Sequence, residues 1–293
     1  MRSLLHEPIL AWYDVHRRDL PWRRPDATAW AVVVSEFMLQ QTPVARVVPA
    51  YEEWLVRWPT PAALAADSPG EAVRQWGRLG YPRRALRLHD VATTLVERHG
   101  GEVPPSYDDL VALPGIGPYT AAAIASFAFR QRHVVQDTNV RRVLARAITG
   151  VEQPPASSTA AEVRLGEELL PDDPETAACW AVAVMELGAL VCTARAPRCD
   201  FCPIADRCAW RLAGYPAYDG PVRRGQTYAG TDRQVRGRLL EVLRTAHGSV
   251  TAAALDAVWD DDVQRLRALE GLLADGLIER VGDQYALPAQ RAV

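Results

Sequence analysis

Four cysteines, Cys192, Cys199, Cys202 and Cys208, stand in a C-x6-C-x2-C-x5-C array within one short stretch. Thiolates that converge on one point can hold a metal centre, and close spacing lowers the entropy cost of gathering them. The alternatives are structural zinc, paired disulfides, or unligated buried thiols. Zinc modules usually present two C-x2-C hooks, and this array has one. Disulfides suit small secreted domains, which a 293-residue chain is not. The spacing favours a [4Fe–4S] cluster, with zinc the main alternative. The fifth cysteine, Cys179, lies among apolar residues on an expected helix and reads as core.

Two carboxylates have settings that suggest chemistry. Glu36 interrupts the otherwise apolar run from Trp30 to Leu39. A buried carboxyl without a partner is costly, so desolvation should raise its pKa and suit it to general acid work. The plain alternative is a Glu on the one wet face of its helix. Asp137 directly precedes the helical run Thr138–Val143 and should serve as its N-cap. The helix dipole would then hold it ionised. One carboxyl pushed towards neutral and another held anionic is the pairing that cleaves a glycosidic bond through an oxocarbenium-like state. Gly115 and Gly117, in Leu113 to Thr120 before an Ala-rich helix, allow a tight turn with amides exposed at a helix N-terminus. Such a turn can cradle a phosphate, although a bare Gly-x-Gly is also an ordinary turn.

These residues need elements to hold them. The chain is long enough for two or three domains and a sizeable core. No apolar run approaches the ~20 residues that span a bilayer, so no membrane association is expected. Met1 to His16 reads as an amphipathic helix rather than a secretion signal. Clustered free thiols then imply a reducing cytoplasm. Net charge is −3, so any DNA contact must be local. All 33 basic side chains are Arg, because the chain contains no Lys. It therefore has no side-chain amine for Schiff-base chemistry.

Helical patterns occupy 3–18, alternate with short turns from 28 to 130, and continue over 138–149 and 158–191, so the body is expected to be all-α. Residues 213–231, rich in Gly, Pro and Tyr, read as a linker. In the tail, Val235 to Leu243, a helix capped by Thr251, and Val263 to Leu273 give three helices. Strand-like residues around Gly282-Asp283 complete a winged-helix-like module. Residues 216–293 hold 10 Arg against 11 acids, and the third helix begins Asp260-Asp261-Asp262. A phosphate backbone would be repelled there, which favours a packing or protein-contact role over a second DNA reader.

Together the motifs resemble those of adenine DNA glycosylases of the MutY type, in the helix–hairpin–helix iron–sulfur superfamily. They are Leu20 to Trp22 (LPW), Ser35 to Thr42 (SEFMLQQT), Gly77 to Tyr81 (GRLGY), Leu113 to Ile124 (LPGIGPYTAAAI), Asp137 to Arg146 (DTNVRRVLAR), Met185 to Cys192 (MELGALVC) and the cysteine array. The resemblance spans about residues 10 to 212. It implies a two-domain glycosylase fold: a six-helix barrel with its hairpin over 21–130, a cluster domain from 1–20 and 131–212, the linker 213–231, and the winged module 232–290.

The resemblance also implies roles. Glu36 would protonate the departing adenine and help activate water, and Asp137 would stabilise the positive sugar with Asn139 beside it. Tyr119 stands where bifunctional relatives carry a catalytic Lys, implying a monofunctional enzyme. Arg18, Trp22, Arg23 and Leu39 would line the pocket for the flipped base. Gln41, with Thr42 beside it, and Tyr81 would enter the duplex near the opposite base. Gly115, Gly117, Arg195 and Arg198 would meet DNA phosphates, and the four cysteines would hold the [4Fe–4S] cluster. The implied partner is double-stranded DNA with adenine mispaired with 8-oxoguanine or guanine, bound by a monomer.

Three departures qualify this. The tail is short and helical where better-known relatives carry a β-rich domain that helps read 8-oxoguanine. Val182 stands one turn before Glu186, where relatives often have a polar residue against adenine. Pro82 follows Tyr81 where a second aromatic is common, stiffening that loop. A sister group removes thymine from G·T mismatches, but it tends to carry Arg in place of Gln40-Gln41. A non-catalytic iron–sulfur DNA-binding protein would have no use for both Glu36 and Asp137.

Overall fold

Helix boundaries follow local capping chemistry. In chain order the helices are α1 (Ser3–His16), α2 (Ala29–Leu39), α3 (Val44–Arg57), α4 (Pro61–Ala65), α5 (Pro69–Trp76), α6 (Arg83–His99), α7 (Tyr107–Ala112), α8 (Pro118–Phe129), α9 (Thr138–Leu144), α10 (Ala160–Leu169), α11 (Pro174–Leu190), α12 (Ala209–Leu212), α13 (Asp232–Thr245), α14 (Ala252–Asp256) and α15 (Asp262–Ala274). Ser68 caps α5 by accepting from Glu71 N–H, and Thr159 and Glu162 form a reciprocal capping box on α10. Gly100 closes α6 in the left-handed region at φ 63°. The computed structural model describes residues 3–220 and 228–289. Residues 221–227 of the expected linker and residue 290 of the expected winged module lie outside them.

The all-α expectation holds: the strands among the described residues are three short ones in the tail. Strand β1 is Val250–Thr251, β2 Glu279–Val281 and β3 Gln284–Ala286. They form an antiparallel sheet in the order β1-β3-β2, with Val250 opposite Tyr285 and Arg280 opposite Tyr285 on the other side. Gly282-Asp283 turns the β2–β3 hairpin, as expected from sequence. The helix expected over 138–149 is α9 to Leu144, then a wider π turn from Ala145 to Thr149.

The chain divides into two compact units. The first comprises residues 1–29, 105–112 and 116–223, and the second residues 30–104, 113–115 and 224–293. Helix α8, which the sequence assigns with the barrel helices, groups with the first unit. The reason is its small-residue face: Ala122 and Ala123 pack with Val135 and Ala181. That unit's main core joins Ile9 and Tyr13 of α1 to Val143 of α9 and Trp180, Val184 and Leu187 of α11.

The second unit centres on Trp54, whose ring lies 4.6 Å from Trp58 and 5.7 Å from Trp76 in edge-on contacts. In the tail, Val235, Leu239, Leu243, Leu255, Leu272 and Leu277 are buried. The acidic start of α15 is largely committed inside the module. Asp261 accepts from Gln264 N–H as N-cap, and Asp262 pairs with the buried Arg265 at 2.7 Å. Two of the three carboxylates are therefore structural, a use that the charge run alone did not disclose.

Candidate active site

In the second unit, α2 is hydrophobic nearly all round, and every residue from Trp30 to Met38 is buried. Glu36 is among them, with 8% of its surface exposed. The solvated-face alternative is excluded by that burial. Leu39 ends the helix half-buried, and the chain then turns through Gln41 at φ 55°, outside the range where most residues are comfortable.

Arg84, on α6, organises this turn. Its guanidinium, 4% exposed, donates to the carbonyls of Phe37 at 2.9 Å and Met38 at 3.0 Å, which α2 leaves without intrahelical partners. It also donates to Thr42 Oγ1 and to Gly80 O, both at 2.9 Å. Gly80 precedes Tyr81, whose φ is 49° and whose ring is about half exposed. Gln41 and Tyr81 are thus held on two strained turns pinned by one buried cation. Burial lowers the Arg84 pKa to about 10, which leaves it charged at neutral pH.

In the first unit, Asp137 is the N-cap of α9. Its carboxylate accepts from the backbone N–H of Asn139 at 2.8 Å and of Val140 at 2.7 Å, and from Asn139 Nδ2 at 2.7 Å. The N-cap role expected of Asp137 is met by these bonds. Burial outweighs these donors and raises the carboxyl above its ordinary value. Asn139 Oδ1 accepts from Arg142 at 2.8 Å, and Arg142 Nε donates to the Cys192 carbonyl at 2.7 Å. A continuous set of hydrogen bonds therefore runs from Asp137 to the first cysteine. Gly188 on α11 makes room for it, since a Cβ there would lie 2.7 Å from Asn139 Cβ.

Arg18 and Arg23 converge on a residue the sequence reading left unassigned. Glu186, fully buried on α11, accepts from Arg18 Nε and Nη2 at 2.7 Å, from Arg18 N–H at 3.0 Å and from Arg23 at 2.9 Å. Burial alone would raise this carboxyl, but the two guanidiniums outweigh it and hold the pKa below its ordinary value. Trp22, on the 3-10 turn Pro21–Arg23, is buried between them in sequence. The cue for Glu186 in the sequence is a lone acid in the apolar stretch Ala181 to Val191.

The four cysteines carry free thiols, and each is partly buried. Cys202 is pushed up to about 12, mainly by burial, with Cys192, Cys208 and Cys199 adding like-charge repulsion. Cys208 Sγ donates to Arg146 O at 3.5 Å. Arg146, 1% exposed, donates to Cys192 Sγ at 3.4 Å and to Thr193 O at 2.8 Å, and stacks 4.6 Å from the Trp210 ring. A soft, all-sulfur donor set beside a buried cation fits an anionic iron–sulfur cluster. Among the described residues, no three His, Cys, Asp or Glu side chains are grouped as a single-ion site.

In the hairpin, Gly115 takes φ 74°, and a Cβ there would meet the Arg87 side chain at 3.1 Å. Gly117 is the N-cap of α8 with ordinary extended backbone, and Tyr119 is 37% exposed on the first turn. Arg195 and Arg198 are exposed in the cysteine loop, where Arg198 reaches the Leu190 carbonyl. The candidate residues fall into two sets. Glu36, Leu39, Gln41, Thr42, Tyr81 and Gly115 lie in the second unit, and the others in the first.

Residues 34–168 match the family of HhH-GPD superfamily base excision DNA repair proteins. The sequence is 56% identical to the adenine DNA glycosylase of Mycobacterium tuberculosis (strain ATCC 25618 / H37Rv) over 99% of this chain and 95% of that protein. The chain belongs to the adenine DNA glycosylase family. The Homo sapiens adenine DNA glycosylase is 43% identical over 69% of this chain and 38% of its own length. A solved thermostable thymine-DNA glycosylase shares the fold with TM-score 0.66 at 25% identity, covering 72% of this chain and 97% of that one. Endonuclease III in a non-covalent DNA complex superposes with TM-score 0.61 at 20% identity, over 73% of this chain and 98% of that one. This family member is thus a base excision repair glycosylase with the helix–hairpin–helix fold. No helix among its described residues is long and apolar enough to cross a membrane.

Proposed function

We propose that this glycosylase removes adenine paired with 8-oxoguanine or guanine by hydrolysis, leaving an abasic site. The observation that carries this reading is Glu36, a carboxyl buried within an apolar helix just ahead of the Gln40-Gln41 turn. The likeness to adenine DNA glycosylases along nearly the whole chain supports the base assignment. Glu36 gives its proton to the adenine as the glycosidic bond breaks, so the bonding pair leaves on a neutral base. Asp137, oriented by Asn139, faces the positive sugar that remains and lowers its energy. Glu36 then takes a proton from the attacking water.

Arg18, Trp22 and Arg23, and separately Leu39, meet the extruded base. Glu186 fixes the two arginines, which turn their charge inward rather than towards adenine. Gln41 and Tyr81 fill the gap in the duplex and feel the opposite base. Gly115, Gly117, Arg195 and Arg198 meet phosphates. Tyr119 leaves the site without an amine, so no strand cleavage accompanies base loss. Cys192, Cys199, Cys202 and Cys208 hold a [4Fe–4S] cluster that, when bound, shapes the loop between Cys192 and Cys199. The enzyme acts as a cytoplasmic monomer.

Base release from duplexes carrying A opposite 8-oxoguanine, G or C, and T opposite G, tests the reading. Adenine should leave opposite 8-oxoguanine fastest and opposite G next, with strands breaking only after alkali. Release of thymine alone would overturn it.

A further inference from the structure

In the second unit the tail grips the helix that leads into Tyr81, and it does so at both ends. Helix α5 runs from Pro69 to Trp76 and passes through Gly77 and Gly80 to Tyr81. Near its start, Gly70 N–H donates to Pro288 O at 2.8 Å. A Cβ at Gly70 would stand 2.5 Å from that oxygen, so the close approach requires glycine. At its end, Arg74 donates to the carbonyls of Arg244 and Ala246, the latter at 2.9 Å. These lie at the C-terminus of α13, where carbonyls lack intrahelical partners. In return, Arg244 Nε donates to Val73 O at 3.0 Å, one of the last carbonyls of α5. Each helix thus caps the other with a guanidinium placed against the negative end of its dipole.

The same tail helix reaches the Tyr81 ring. Arg233, in the first turn of α13, places its guanidinium 5.6 Å from the ring centroid, and Arg84 stands 5.4 Å from it. Arg78, in the intervening loop, pairs with Glu241 of α13 at 2.9 Å. A half-exposed aromatic at positive φ keeps its place only when its surroundings hold it there. An aromatic so presented is a stacking platform for an unpaired base region. The tail's slight net acidity and its internally paired aspartates favour this packing role over phosphate binding.

We propose that the tail is a brace for the Tyr81 loop, with Arg233 as a positioning residue that presents the ring to the opposite base. This rests on the reading that Tyr81 enters the duplex. The brace prepays the ordering of the loop, so its loss should weaken binding and opposite-base preference while sparing the chemical step.

The test uses the full chain, with wild type, Arg233→Ala, Arg233→Lys and Arg244→Met. Duplexes carry adenine opposite 8-oxoguanine or guanine, with 2-aminopurine beside the opposite base to report stacking. Arg233→Ala should reduce the preference for 8-oxoguanine over guanine by about two- to five-fold, the scale of one exposed cation–π contact. The 2-aminopurine signal should change with it, while the single-turnover rate at saturating enzyme and the Tm stay at wild-type values. Arg233→Lys should restore the preference, and Arg244→Met should lose at least as much preference as Arg233→Ala. Unchanged preference and fluorescence in Arg233→Ala overturn the proposal, as does an equal loss of affinity for both duplexes, which marks a phosphate contact. A lowered Tm with wild-type preference in Arg244→Met also overturns it. Absence of adenine release by wild type would instead strike the proposed function, and the fluorescence arms would still report on the brace.

Discussion

Arg84 Nη2 donates to Thr42 Oγ1 at 2.9 Å, and this bond joins the turn that carries Gln41 to the loop that carries Tyr81. One buried guanidinium serves both because α2 ends with its carbonyls pointing at α6. Arg84→Ala would leave several buried acceptors without donors, at about 1–3 kcal/mol each before relaxation. A fall in Tm of about 6–12 °C is expected by circular dichroism. A fall under 2 °C would show that the turns do not depend on this residue.

Asp137 separates stability from activity. Its raised pKa means that burial penalises the ionised form, so its stability cost is absent well below its ordinary value near 4 and grows as pH rises through that value. Asparagine keeps the cap and removes the charge. Asp137→Asn should therefore match or exceed the wild-type Tm at pH 7 while losing excision by several orders of magnitude. Circular dichroism melts at pH 3.5 and 7, beside single-turnover assays, check both halves. A less stable yet active variant would contradict the assignment.

Much of this could be read from the chain. Glu36 showed itself as an acid in an apolar run, Asp137 as the residue before a helix, and Gly115 as a turn that needs positive φ. The Gly282-Asp283 hairpin was equally local. What stayed hidden depends on distant partners: Glu186 meets Arg18 across 168 positions, and Arg74 meets Ala246 across 172. Nothing in the neighbouring sequence announces such pairings. Strand β1, two residues long, is too short to show alternation.

Glu186 has the opposite sign to Asp137. Its pKa is lowered by Arg18 and Arg23, so its contribution is present above the unfolded value near 4.3 and is lost as pH falls through the lower folded value. Glu186→Gln should cost stability at pH 7, since two guanidiniums then face a neutral partner. The gap from wild type should narrow below about pH 4. Tm measured from pH 3 to 7 for both proteins reads this directly. A gap that stays constant across the range would remove the charge from the explanation.

The cysteine array is tested by metal content. Anaerobically purified protein should carry iron and acid-labile sulfide in equal amounts, with visible absorption that Cys199→Ser abolishes. Zinc without sulfide would replace the cluster by a single-ion site. Because Arg142 connects Cys192 to Asn139, Cys199→Ser should also slow excision.

Excision turns on the Glu36 proton. Single-turnover excision of adenine opposite 8-oxoguanine, measured with duplex affinity for wild type and Glu36→Gln, tests it most directly. The expected result is near-wild-type affinity with excision reduced by more than about 10³-fold, as loss of an acid that also activates water demands. Glu36→Gln excising adenine at the wild-type rate would contradict it.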